Sequence, residues 1–289
     1  MTSHSEQLLR LGRSILVPYS ELPGAVCTII TGSAAEGLAD EFSDLDMIVY
    51  YASMPDEQQI RSIRQHIGGG PLTWSVGAHA DGEFGEGFRV QGVDCQICHT
   101  TLARWEADIA RVLCGDEVAT PLHKAMSGTL LSIAVSGPEL LEKWKDRLQG
   151  YSDALVAAMV ERHLQFFPIW GVLARLERRD ASLWIRQVLV ESSFNLLGVL
   201  AGLNRQFFTP FQFKRAHAFM SRLRIAPPRL AERLDAIWKF GPEESALELR
   251  ELVRETVELV RQQLPQIDTG ACEAALNRCD RPWAKTEGA

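Results

Sequence analysis

The sequence predicts an α+β chain: a small domain of alternating strands and helices over residues 1–137, an all-helical bundle over 138–268, and a loose tail over 269–289. Two patterns carry that prediction. Short β-branched runs alternate with helical segments through the first part, as in domains that pack helices on a sheet. From Pro138 onward apolar residues recur at three- and four-residue spacing with almost no strand signal, the pattern of a helical bundle. A third observation sets the class: no apolar run approaches the ~20 residues a membrane helix needs.

The elements follow in order. "EQLLRLGRSIL" has helical spacing. "GAVCTIIT" and "LDMIVYY" are short strand-like runs. "PDEQQIRSIRQHIGGG" opens on Pro55 and acidic residues and closes on glycines, which are helix start and stop signals. The Gly-rich "GAHADGEFGEGFRVQG" follows, then strand-like "VDCQICHTT", then "TLARWEADIARVLCG", a helix ending at Gly115. In the second part Ser152 and Thr209 are candidate N-caps, and Pro138, Pro210, Pro227 and Pro242 mark helix starts.

The 289 residues are 46% hydrophobic and 23% charged, as in ordinary globular proteins. The N-terminus has only Ile15, Leu16 and Val17 as an apolar patch, with Arg10 and Arg13 nearby, which is no signal peptide. A cytoplasmic location with six reduced cysteines is therefore expected. Residues 1–140 carry eight Lys/Arg against eighteen Asp/Glu, a balance of −10; residues 141–289 carry twenty-two against nineteen, a balance of +3. Nucleic acid requires a strong basic patch, so a nucleic-acid partner is not expected. The acidic half suits a cationic small molecule or a metal-borne polyphosphate.

The informative stretch is "TIITGSAAEGLADEFSDLDMIVYY". Residues two apart in a strand share a face, so Asp44 and Asp46 project together while Leu45 points to the core. Two unpaired carboxylates on one face repel and resist burial. A divalent cation removes that penalty, and Mg²⁺ takes one or two carboxylates together with water and substrate phosphates. Upstream, Gly32 permits a tight turn, and backbone N–H groups with the Ser33 hydroxyl can bond phosphate oxygens. An acidic exposed turn is the alternative for any lone Asp-x-Asp. Here a Gly-Ser turn and two apolar runs flank the pair, which disfavours it.

"GSAAEGLADEFSDLDMIV" resembles the signature of the DNA polymerase β-type nucleotidyltransferase superfamily. The spacing from Gly32 to Asp46 is similar to that of aminoglycoside adenylyltransferases; lincosamide nucleotidyltransferases and minimal nucleotidyltransferases share it more loosely. The resemblance is specific over about twenty residues. It implies a small mixed-sheet, polymerase β-like nucleotidyltransferase domain followed by a helical domain, as in antibiotic-modifying members. It implies Mg²⁺, two ions, held by Asp44, Asp46 and a third carboxylate on a later strand. Asp94 in "GVDCQICHTT" fits that place, and Asp81 among glycines is its rival. The implied catalytic set is Asp44, Asp46 and Asp94, with Gly32, Ser33 and Ser43 on the phosphates.

Because the first half is acidic, the helical half is expected to lend a cation, with the site in the groove between the halves. Lys214 is the candidate, with Arg215 and Arg186 behind it; a solvated basic helix face explains any one of them as well. Glu191 is an acceptor-binding candidate or a salt-bridge partner of Arg186 or His163. The implied reaction moves a nucleoside monophosphate, AMP from ATP, onto a hydroxyl of a small cationic acceptor such as an aminoglycoside. A macromolecular acceptor, either a toxin protein or a tRNA end, and a non-catalytic nucleotide-binding regulator are the alternatives.

Two signals are declined. "CQICH" matches a c-type haem attachment spacing, but it falls on an expected strand. "GGG" at 68–70 ends a helix and lacks the Gly-Lys-Ser/Thr of a phosphate loop.

Overall fold

The computed structural model describes residues 1–280. The chain is α+β, with one mixed six-stranded sheet followed by helices, and it divides into two compact units. The first unit comprises residues 1–113 and 124–151; the second comprises 114–123 and the chain from 152.

In the first unit, α1 (Ser3–Ser20) is capped by Thr2, whose hydroxyl accepts from the Ser5 amide. Strand β1 (Ala25–Thr31) runs into a single-turn α2 (Gly32–Ala35), and β2 (Leu45–Tyr51) returns antiparallel to β1. Helix α3 (Glu57–His66) starts in a capping box of Asp56 and Gln59. Strand β3 (Trp74–Ala78), a short 3₁₀ turn at His79–Asp81, β4 (Glu83–Val90) and β5 (Val93–Thr101) complete a meander. Next come α4 (Leu102–Cys114), α5 (Leu122–Leu131), β6 (Ile133–Ser136) and α6 (Pro138–Gln149).

The sheet order is β3-β4-β5-β2-β1-β6. Only the β2–β5 pairing within it is parallel, with Leu45 beside Cys95 and Asp46 beside Gln96. Two faces result from the alternation of side chains. One carries Leu45, Met47, Val49, Cys95 and Ile97, buried against Leu8, Leu16 and Tyr19 of α1 and Ile60 of α3. The other carries Asp44, Asp46, Gln96 and Cys98 near the start of β2 and Tyr50 toward its end, where Trp105 of α4 and Trp144 of α6 cover it.

That packing shifts the expected boundary at 137/138. Helix α6 was assigned to the bundle, yet it belongs to the first unit, because Trp144 is fully buried against Tyr50 with ring centroids 4.5 Å apart. The Gly-rich stretch is also more ordered than its composition suggests, since it forms the antiparallel β3–β4 pair.

The second unit is helical, with no strand among its described residues: α7 (Asp153–His163), α8 (Ile169–Glu177), α9 (Ser182–Leu203), α10 (Ala216–Met220), α11 (Leu230–Ile237), α12 (Pro242–Gln263) and α13 (Gly270–Leu276). Ser152 caps α7 through a 3.0 Å bond to the Leu155 amide. Pro138 and Pro242 stand at helix starts as expected, whereas Thr209, Pro210 and Pro227 lie outside any helix. The long apolar run around Pro168 splits into α7 and α8, since proline removes a backbone donor there. The segment from 269 contains α13, with Cys272 and Leu276 buried; residues 281–289 of the expected tail lie outside the described residues. No helix among the described residues is long and apolar enough to cross a membrane.

Three histidines are buried: His99 in the first unit, His123 and His163 in the second. Burial pushes each below the ordinary imidazole value, against weaker upward pulls from Glu86, Glu117 and Asn195 respectively. Their unfolded values are near 6.5. Below that pH the unfolded chain binds protons that the folded chain refuses, so stability falls with falling pH. We expect the melting temperature to be flat above pH 7 and to drop steadily from pH 6.5 to 5.5. A melting temperature that does not change over that window would show that these imidazoles are not held neutral.

Candidate active site

The Asp-x-Asp pair sits where β2 begins. Leu45 between the two acids is fully buried, which fixes the strand's orientation and turns Asp44 and Asp46 to the same half-buried face. On the neighbouring strand Gln96 shares that face, and its Nε2 donates to Asp44 Oδ2 at 2.6 Å. Gln96 is the residue that the sequence did not single out as part of the site. Its parity with Asp94 was the available signal.

The turn upstream closes on the same acids. Thr31 is in register with Asp46, and Gly32 follows with φ +65°. A Cβ on Gly32 would run into the Asp46 carboxylate, so both the backbone conformation and the close approach require glycine. Gly32→Ala is therefore expected to cost about 1–2 kcal/mol from the left-handed backbone alone, and to displace the Asp46 carboxylate. Thermal melts read the first effect, and Mg²⁺ titration the second. A variant with wild-type melting and wild-type metal response would remove the reason for glycine here.

Ser33 is half-buried in the single turn α2. Ser43 is engaged within its own loop: its hydroxyl donates to Asp40 Oδ1 at 2.9 Å and accepts from the Asp40 amide at 3.0 Å. In this arrangement Ser43 shapes the turn that delivers Asp44.

Asp94 does reach the expected strand, β5, on the side of Gln96. There Arg89, its antiparallel partner on β4, holds it through Nε–Oδ1 at 2.6 Å and Nη2–Oδ2 at 3.1 Å. The hydrogen bond from Arg89 draws the Asp94 carboxyl below its usual range. Among the described residues no three His, Cys, Asp or Glu side chains gather into a metal-binding group, so Asp44, Asp46 and Asp94 are not assembled as the expected set of three ligands. Asp94 instead pairs with the Arg89 guanidinium opposite it. The pair Asp44 and Asp46 alone still fits one Mg²⁺: two carboxylates on one face, oxygen donors only, under a glycine that leaves the Asp46 carboxylate room.

Asp81 is exposed in the 3₁₀ turn. Lys214 and Arg215 are exposed in the second unit, just before α10, and Arg186 is exposed on α9. Glu191 accepts from Gln187 Nε2 at 2.7 Å, so its partner is neither Arg186 nor His163. In "CQICH" the strand places Cys95 and Cys98 on opposite faces. Burial pushes their thiols up to about 11 and about 12, so the motif presents no thiolate pair.

No protein-family model and no curated protein matches the sequence. Among solved structures, a nucleotidyltransferase-like protein from Exiguobacterium sibiricum 255-15 matches over 96% of this chain and 82% of that one, at 15% identity and a TM-score of 0.33.

Proposed function

We propose that the protein is a Mg²⁺-dependent nucleotidyltransferase that moves AMP from ATP onto a hydroxyl of a small cationic acceptor. One observation carries the reading: Asp44 and Asp46 share a half-buried sheet face, and the Gly32–Ser33 turn abuts the Asp46 carboxylate. Chemistry of this kind depends on positioning and charge neutralisation more than on covalent help.

Asp44 and Asp46 would hold the ion, and Gln96 fixes the rotamer of Asp44. When bound, Mg²⁺ neutralises phosphate charge during the transfer. Ser33 is the hydroxyl offered to the phosphates. Asp94, once released by Arg89, takes the proton of the attacking hydroxyl. The acceptor oxygen forms a bond to the α-phosphorus, the bond to the pyrophosphate oxygen breaks, and pyrophosphate carries away the electron pair.

The test is label transfer. With Mg²⁺ and a panel of hydroxylated organic cations, aminoglycosides included, label from α-labelled ATP should appear on the acceptor. Label from γ-labelled ATP should leave with pyrophosphate. Transfer of the γ-label would make the protein a kinase. Label on a protein or on tRNA alone would replace the small acceptor by a macromolecule, and no transfer to any acceptor class would remove the reading.

A further inference from the structure

Trp74 is an exposed aromatic residue with a built seat. It stands on β3 directly opposite Gly87 of β4, and its indole lies along β4. A Cβ on Gly87 would come 2.6 Å from Trp74 Cδ1, and one on Gly85 would come 3.2 Å from Cζ3. The two glycines are thus a floor for one face of the ring. The residue remains 40% exposed.

The register places this ring in line with the acids. Trp74 pairs with Gly87, Gly87 with Gln96, Gln96 with Asp46, and Asp46 with Thr31. That is one row across five strands, with its side chains on one face. Strands lie about 4.8 Å apart, so an indole seated over Gly87 is about 10 Å from Asp46, the span of a small molecule. The Gly32–Ser33 turn flanks the acids on one side, and Trp74 lies on the other. If phosphates occupy the turn, the molecule that brings the nucleophile must lie toward Trp74.

Charge narrows what that molecule carries. Asp44, Asp46 and Asp94 share the face, and Arg89 beside them is engaged by Asp94. An anion would be repelled, whereas a cation is drawn both to the carboxylates and to the negative face of the indole.

We propose that the outer face of Trp74 is the subsite for an ammonium or guanidinium group of the acceptor. This assignment to the acceptor rests on the nucleotidyltransferase reading; the cation site itself rests on Trp74, Gly85 and Gly87.

The experiment uses the full chain labelled with ¹⁵N at its tryptophans, with the Trp74 indole signal assigned by its loss in Trp74→Phe. The probes are choline and its neutral isostere 3,3-dimethylbutan-1-ol. Choline should shift the Trp74 signal saturably, and the isostere should not at matched concentration. Gly87→Ala pushes a methyl group into the ring seat, and Trp74→Leu keeps bulk but removes the π face; each should weaken choline about two- to fivefold, with the affinities of wild type and both variants compared by saturation-transfer signals of the choline methyl protons, which need no indole reporter. Equal responses to both probes, a silent Trp74 signal, or unchanged choline affinity in both variants would overturn the subsite. Calorimetry with Mg·ATP is read separately and should be the same in the wild type and Gly87→Ala. Absent Mg·ATP binding alongside a choline response at Trp74 would sink the nucleotidyltransferase reading and leave the cation site standing.

Discussion

Asp46→Asn should reduce α-label transfer by three or more powers of ten while the protein stays folded. The change removes one charged ligand oxygen and keeps the side chain's size. A ligand that neutralises phosphate charge is worth several kcal/mol in the transition state, and each 1.36 kcal/mol is tenfold in rate. Folding should tolerate it, because Asp46 is half-buried at the strand's start and the core side of β2, with Leu45 and Met47, is untouched.

A readout independent of turnover is the response of the melting temperature to Mg²⁺. An ion binding only the folded state stabilises it by about 2.7 kcal/mol at a hundred times its dissociation constant. Wild type should gain stability with Mg²⁺, and Asp46→Asn should not. Asp44→Asn should behave alike, with a further consequence: Gln96 would lose its charged acceptor. Wild-type turnover of Asp46→Asn at saturating Mg²⁺ would mean that the pair is only an acidic strand end.

The pair was legible in the sequence because its cause is local. A period-2 alternation around Leu45 sets the shared face, and one glycine sets the turn, so neither needs knowledge of distant contacts. Asp94 was placed on the correct strand and side for the same reason. What the sequence hides is lateral order. Nothing local says that β5 lies beside β2 in parallel, which is what brings Gln96 to Asp44. Arg89 meets Asp94 for a local reason instead: the Gln91–Gly92 turn, with positive φ at both residues, folds β4 back on β5. The Gly-rich stretch was hidden for another reason: Gly85 and Gly87 weaken strand propensity, yet they are what Trp74 needs beneath its ring. Helix α6 was legible as a helix, but its unit was not, since Trp144 is committed by Tyr50 and Trp105, both far back in the chain.

Asp94→Asn should lower the chemical step by about 10²–10⁴-fold, the contribution of a positioned proton acceptor. Mg·ATP affinity should change far less, because Asp44 and Asp46 remain. The Arg89 pair decides how that role is reached. Both partners are exposed, so the pair is screened by salt and readily opened. Arg89→Ala should therefore leave turnover at neutral pH within a few-fold of wild type. It should also change the pH profile in a set direction. Arg89 holds the Asp94 carboxyl below its usual range, and a base works only when deprotonated, so activity is lost as pH falls through that value. Removing Arg89 lets the carboxyl rise toward the ordinary value, and the acidic limb of kcat/KM should move to higher pH. The measurement is the pH–rate profile of wild type and Arg89→Ala between pH 3.5 and 8, with Asp94→Asn at neutral pH beside them. An acidic limb that does not move in Arg89→Ala would show that another group accepts the proton. Equal losses of Mg·ATP binding and turnover in Asp94→Asn would make Asp94 a ligand of the nucleotide's own ion, with Arg89 the group that the ion displaces.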